Sequence, residues 1–153
     1  MTAPGGSEDR TMVIERFIAA PVAAVWGAWF DPLALPQWWG PDGFSCRTSR
    51  IDLREGGEWV FDMIAPDGTV FPNHHRYTRI VPQARIDYVL HWGENGPVHA
   101  ESSALFAPED GGTRVTLTMT FVSTEEYRNA KGFGAVELGL QTLGKLARHI
   151  GAD

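Results

Sequence analysis

Five histidines, one cysteine and a scatter of carboxylates are the groups in this chain that could do acid–base, nucleophilic or metal chemistry. His74 and His75 are adjacent within a strand-like segment, so they point to opposite faces and cannot share one metal ion. His75 has the parity of Phe71 and Tyr77, which makes it the inward member and sends His74 toward solvent; a bulge would reverse the two. An inward His75 could be a structural histidine, a polar anchor for a ligand or a general base. His91 alternates against Leu90 and Trp92 and should face out. His99 falls at a strand start or in a loop, and His149 on the outer flank of a helix. No two or three ligands recur at zinc spacing, so no metal is expected. Asp62 and Asp87 take the outward parity of their strands and form no carboxylate pair. The lone Cys46 excludes an intrachain disulfide and a cysteine-based zinc cage, and reads as a small buried hydrophobe. Gly-x-Ser-x-Gly, a phosphate loop and a dinucleotide fingerprint are all missing. No catalytic residue is nominated, and no cofactor is expected.

The elements that would hold these groups follow from punctuation. Thr11 to Ile18 is a short strand. Pro21 opens a helix whose Val22, Val25, Trp26 and Trp29 share an apolar face. Leu33 to Pro41 carries too much proline for more than one helical turn and a loop. From Phe44 to Phe121, strand signals alternate with turns at Gly56-Gly57, Pro66-Asp67-Gly68, Pro82, Asn95-Gly96 and Asp110-Gly111. The segments are 44–53, 58–64, 70–81, 85–92, 99–107 and 113–121, making seven antiparallel strands with the first. Alternation puts Trp59, Phe61 and Met63 on one face, with Ile86, Tyr88, Leu90 and Trp92, and Val115, Leu117, Met119 and Phe121.

Ser123-x-x-Glu126 is a capping box, and Lys131 to Gly134 ends the short helix it starts. Ala135 to Ile150 is the longest helix. Its Val136, Gly139, Leu140, Leu143, Leu146, Ala147 and Ile150 fall within an arc of about 120°, opposite Glu137, Gln141, Lys145 and Arg148. Gly139 on that stripe marks either a close helix–sheet contact or room left for a guest.

At 153 residues the chain is one domain's worth. Folding would bury about 69% of its extended surface, enough for a core without staples. Residues 1–10 read as a loose, polar tail and 11–153 as a single domain. A net charge of −6 and a pI near 5.3 have the wrong sign for nucleic-acid binding. No apolar run is long enough to span a membrane, and no signal peptide precedes the domain, so the expected location is the cytoplasm. Six Trp, eight Phe and three Tyr suit either a well-packed core or an aromatic-lined pocket.

Strand, helix, long meander and C-terminal helix is the α+β helix-grip order, and two segments sharpen it. Ala20 to Phe44 (APVAAVWGAWFDPLALPQWWGPDGF) and Asp52 to Pro82 (DLREGGEWVFDMIAPDGTVFPNHHRYTRIVP) resemble START-like proteins named for homology to the activator of the heat-shock protein 90 ATPase. The likeness runs over about residues 11–150. The chain departs from it at His75, at Arg79, and in having no tryptophan near the start of its last helix.

The resemblance implies a seven-stranded curved sheet wrapped on the last helix, two short helices after the first strand, and a hydrophobic cavity between sheet and helix. Trp39, Trp59, Phe61, Met63, Leu90 and Trp92 would line it, with Met119, Phe121 and Leu140. His75, Tyr77 and Tyr88 would supply its polar contacts. An empty cavity of roughly 300 Å³ would cost on the order of 7 kcal/mol, so such a space is filled by side chains, water or a ligand. The implied partner is a small apolar or aromatic molecule. The resemblance also brings a polyketide cyclase-like reaction in the same cavity and a chaperone co-regulator as alternatives, the latter without the separate N-terminal domain of the eukaryotic activators. A monomer or a homodimer is compatible with the sequence. Trp38 and Trp39, between Pro36 and Gly40-Pro41, could plug one end of the core or form a lid.

Overall fold

Short connections rich in Gly, Asp and Asn leave successive strands little choice but to pair with their neighbours. The computed structural model describes residues 7–152. Its strands are β1 (Thr11–Ile18), β2 (Ser45–Ile51), β3 (Glu58–Ile64), β4 (Val70–Val81), β5 (Arg85–Trp92), β6 (Val98–Glu109) and β7 (Gly112–Phe121). They form one antiparallel sheet in the order β1-β7-β6-β5-β4-β3-β2. The β6–β7 turn shows the chemistry: Asp110 (φ 47) and Gly111 (φ 78) are both left-handed, as a two-residue hairpin with the strands' own twist requires.

Register shifts between Thr48 and Arg50, Tyr77 and Arg79, and Leu90 and His91 interrupt the ladders. Bulges of this kind bend a strand and increase its twist, so the sheet curves. The helices are α1 (Val22–Trp29), α2 (Leu35–Trp38), α3 (Thr124–Gly132) and α4 (Ala135–His149). Ser123 caps α3 by accepting from the Glu126 amide at 3.0 Å, and Gly134 (φ 89) turns the chain into α4.

The C-terminal half of α4 is seated on the sheet. Leu143, Leu146 and Ala147 are buried in one cluster with Ile14, Val115 and Leu117. Gly139 reports the intimacy of the contact, since a Cβ there would strike the Ile14 Cδ1 methyl of β1. The glycine therefore marks a close approach of helix to sheet. One end of the core is closed by tryptophans: Trp29 packs edge-on against Trp38 at 5.0 Å and Phe106 at 5.3 Å. Buried Trp38 donates its Nε1–H to the Ala28 carbonyl at 3.0 Å, so it is a plug.

Part of the expected loose tail is folded. Ser7–Arg10 is a 3-10 turn, and Arg10 Nη1 donates to the Phe121 carbonyl; residues 1–6 lie outside the described residues. Among the described residues no helix is long and apolar enough to cross a membrane.

Candidate functional site

The concave face is built row by row from strand register. Trp59, His75, Leu90, Ala100 and Phe121 stand opposite one another across β3 to β7. The adjoining row runs Tyr77, Tyr88, Ser102, Met119 and Met12. Near the middle of the sheet, β6 presents the small side chains Ala100, Ser102 and Ala104, all buried.

His75 faces inward, as its parity requires, and sits in an aromatic cage. Tyr88 stacks on it at 4.5 Å, while Phe61 (5.0 Å), Trp59 and Trp39 (both 5.4 Å) meet it edge-on. Its ring makes no hydrogen bond among the described residues. Burial, with a smaller push from His74, lowers its pKa to about 3, so it is neutral at physiological pH. Burial raises the pKa of both Tyr77 and Tyr88, keeping the phenols protonated. Ser102, opposite Tyr88 in the ladder, is near enough to moderate the latter shift. Its Oγ nevertheless makes no hydrogen bond of good geometry and is a buried, unpartnered hydroxyl. The interior thus offers uncharged polar groups in an aromatic setting.

The twelve residues expected around a cavity divide by depth. Trp59, Phe61, His75, Tyr77, Tyr88 and Phe121 are buried; Trp39, Met63, Leu90 and Met119 are half-buried. Met119 keeps accessible surface although Leu117 and Phe121, its same-face neighbours on β7, are buried. Two expectations of inward burial fail. Trp92 is 45% exposed and Leu140 37%, and Val136 on the same helical stripe is 41% exposed. Leu138, expected outside, is half-buried. The helical wheel gives the direction of a side chain but not its depth: Gly139 in the second turn of α4 lies against Ile14 of β1, while Val136 and Leu140 beside it stay exposed.

One group at the rim was not anticipated. His99 is the extra residue of the β5–β6 bulge, where Leu90 pairs with Ala100 and His91 with Val98. Its ring lies 4.2 Å from Trp92 and 5.0 Å from Phe121. A bulge leaves no local pattern; the one cue is that Trp92 and His99 bracket the turn 93–98.

A family model for Activator of Hsp90 ATPase homolog 1-like proteins matches residues 19–151. The chain belongs to that family. Its fold is the START-like helix grip. It is similar to a crystal structure of a Nitrosomonas europaea protein, with 25% identity, a TM-score of 0.83, and 93% and 94% of the two chains covered. It is also similar to one from Chromobacterium violaceum, with 27% identity, a TM-score of 0.77, and 94% and 99% covered. An AHSA1-like protein from Aeromonas hydrophila shares 28% identity over 92% of this chain and 91% of its own, with a TM-score of 0.69. No curated protein matches.

In this member of the Activator of Hsp90 ATPase homolog 1-like family, the Trp-Gly-Pro loop is tied to α4 by residues that the helical wheel assigns to solvent. Lys145 Nζ donates to the Pro41 and Phe44 carbonyls at 3.2 and 3.1 Å. Arg148 pairs with Asp42 at 3.0 Å, and the Asp42 amide donates to Gln141 Oε1 at 3.1 Å. These ties bound a surface recess of about 400 Å³ floored by Trp38. Cys46 donates to the Trp39 carbonyl at 3.4 Å, and burial pushes its thiol up to about 12, against a smaller pull from Lys145.

The convex face also departs from expectation. His74 points away from the cavity but is buried, not solvated. The β5–β6 turn covers it, the Asn95 amide donating to its Nδ1 at 3.2 Å, which leaves Nε2 to donate to Glu58 Oε1 at 2.9 Å. His91 stacks on it at 5.1 Å and is half-buried. Asp62 and Asp87 pair with Arg47 and Arg85, each at 2.8 Å, and His149 is exposed. Among the described residues no three His, Cys, Asp or Glu side chains gather to hold a metal.

Proposed function

We propose that this protein binds a small, uncharged, apolar or aromatic molecule on the concave face of the sheet beside Val136 and Leu140 of α4. The supporting observation is the uneven seating of that helix. Leu143, Leu146 and Ala147 are buried, yet Val136 and Leu140 on the same stripe keep more than a third of their surface exposed. Apolar side chains aimed at a core and left wet favour a guest that dries them, at roughly 25 cal/mol per Å². The unpartnered Ser102 hydroxyl and the uncharged His75, Tyr77 and Tyr88 would orient that guest.

The test uses 2-methoxynaphthalene with native mass spectrometry and thermal denaturation. A one-to-one complex is expected, with stabilisation approaching about 2.7 kcal/mol at one hundred times Kd. Met119→Trp, which fills the half-open floor position, should abolish both signals. Absence of any complex or thermal shift with neutral naphthalene-sized probes would overturn the proposal.

A further inference from the structure

His99 is held in a way that fixes which of its nitrogens can meet a ligand. Nδ1 is the buried nitrogen of the ring and faces Glu126 Oε2 at 3.5 Å, an ion-pair distance without the alignment of a good hydrogen bond. A carboxylate only accepts, so the neutral ring carries its proton on Nδ1 and leaves a lone pair on Nε2. Burial lowers the His99 pKa against the opposing pull of Glu126, which favours this neutral form near pH 7. The side chain keeps 12% of its surface exposed, and of its two nitrogens only Nδ1 is both buried and unpartnered. Nε2 makes no hydrogen bond among the described residues. The imidazole packs against the half-exposed Trp92 ring and the edge-on, buried Phe121 ring. An unused acceptor beside the exposed face of Trp92 is complementary to a flat molecule carrying a hydrogen-bond donor.

We infer that His99 is a specificity-determining residue at the edge of the guest recess proposed above between sheet and α4, accepting a hydrogen bond through Nε2 from an aromatic ligand that bears a hydroxyl or N–H group, with Glu126 as its positioning residue. The inference rests on the recess reading above and adds the class of ligand. It uses no charge on either partner: the ligand's donor is shared with imidazole and stays on the ligand.

The experiment compares 2-naphthol with 2-methoxynaphthalene, which keeps the rings and loses the donor. The unmodified protein is expected to bind 2-naphthol about tenfold more tightly, the effect of one hydrogen bond. His99→Phe keeps an aromatic ring in place and should bring the two probes to parity, leaving 2-methoxynaphthalene within about twofold of its original affinity. Glu126→Lys is the second variant, at a side chain 31% exposed. An ammonium only donates, so it moves the ring proton to Nε2 and should also erase the hydroxyl preference. A ratio between two probes is insensitive to a general loosening of the rim. Equal binding of both probes by the unmodified protein, or a preference that survives both substitutions, overturns the role of His99 while the recess stands. Binding of neither probe overturns the recess and this inference together.

Discussion

His75→Leu should change how the protein responds to acid. The ring is buried, caged by four aromatic side chains, and without a hydrogen bond that could stabilise a positive charge. Above about pH 6.5 it is neutral in both the folded and unfolded chain and contributes nothing to the pH dependence. Below that value the unfolded chain takes up a proton that the folded chain refuses until pH falls to about 3. Stability therefore drops as pH decreases through that window, by about 1.4 kcal/mol per unit. Between pH 6.5 and about pH 4.5 the loss is about 2.7 kcal/mol, which lowers Tm by roughly 5–10 °C in a domain of this size. Thermal melts across this range should show the slope in the unmodified protein and a much shallower one in His75→Leu, the remainder coming from His99, whose pKa burial also lowers, whatever constant offset the substitution adds. Glu58 and Glu109, held low mainly by Arg50 and Arg114, titrate at more acid pH in both proteins. His149→Gln, at an exposed site, should keep the slope. Parallel acid limbs in the unmodified protein and His75→Leu would refute the placement of a neutral, unpaired imidazole inside the core.

Two further outcomes follow from local geometry. Alanine in a helix normally gains about 1 kcal/mol over glycine. Gly144→Ala should gain close to that in urea denaturation, because its Cβ meets only Arg148 Nη1 at 3.6 Å, whereas Gly139→Ala should gain nothing or lose, because Ile14 must move. The Cys46 thiol, pushed up to about 12, should react with iodoacetamide at pH 8 at least about a hundredfold more slowly than a free cysteine, and at the free rate in denaturant.

Where residues act through local rules, the fold was legible. Asp110-Gly111 and Asn95-Gly96 announce their turns, and β1, β3, β4 and β5 have the bounds that the punctuation of the sequence predicts. Trp59, Phe61, His75 and Tyr88 meet inside because parity put them on one face. What was hidden depends on distances between elements far apart in sequence. No pattern around His74 says that the Asn95 turn will cover it. No wheel says that Lys145 will reach the Pro41 carbonyl. The same wheel placed Leu140 beside Ala147, although one is half wet and the other dry. His99 falls at a strand start as expected, but its contacts with Phe121 and Glu126 were hidden because a single extra residue in β6 defeats a period of two.

The ties from Gln141, Lys145 and Arg148 to the Pro41–Phe44 loop split the terminal helix mechanically. Its back half is bolted to the tryptophan-plugged end of the barrel-like shell. Its front half is held at Gly139, against Ile14 of β1, and is otherwise loosely covered, with Val136 and Leu140 exposed and Phe133 77% exposed at the elbow. A guest between sheet and helix would meet a fixed gauge at the bolted end and at the Gly139–Ile14 contact, leaving only the elbow end of the rod to give.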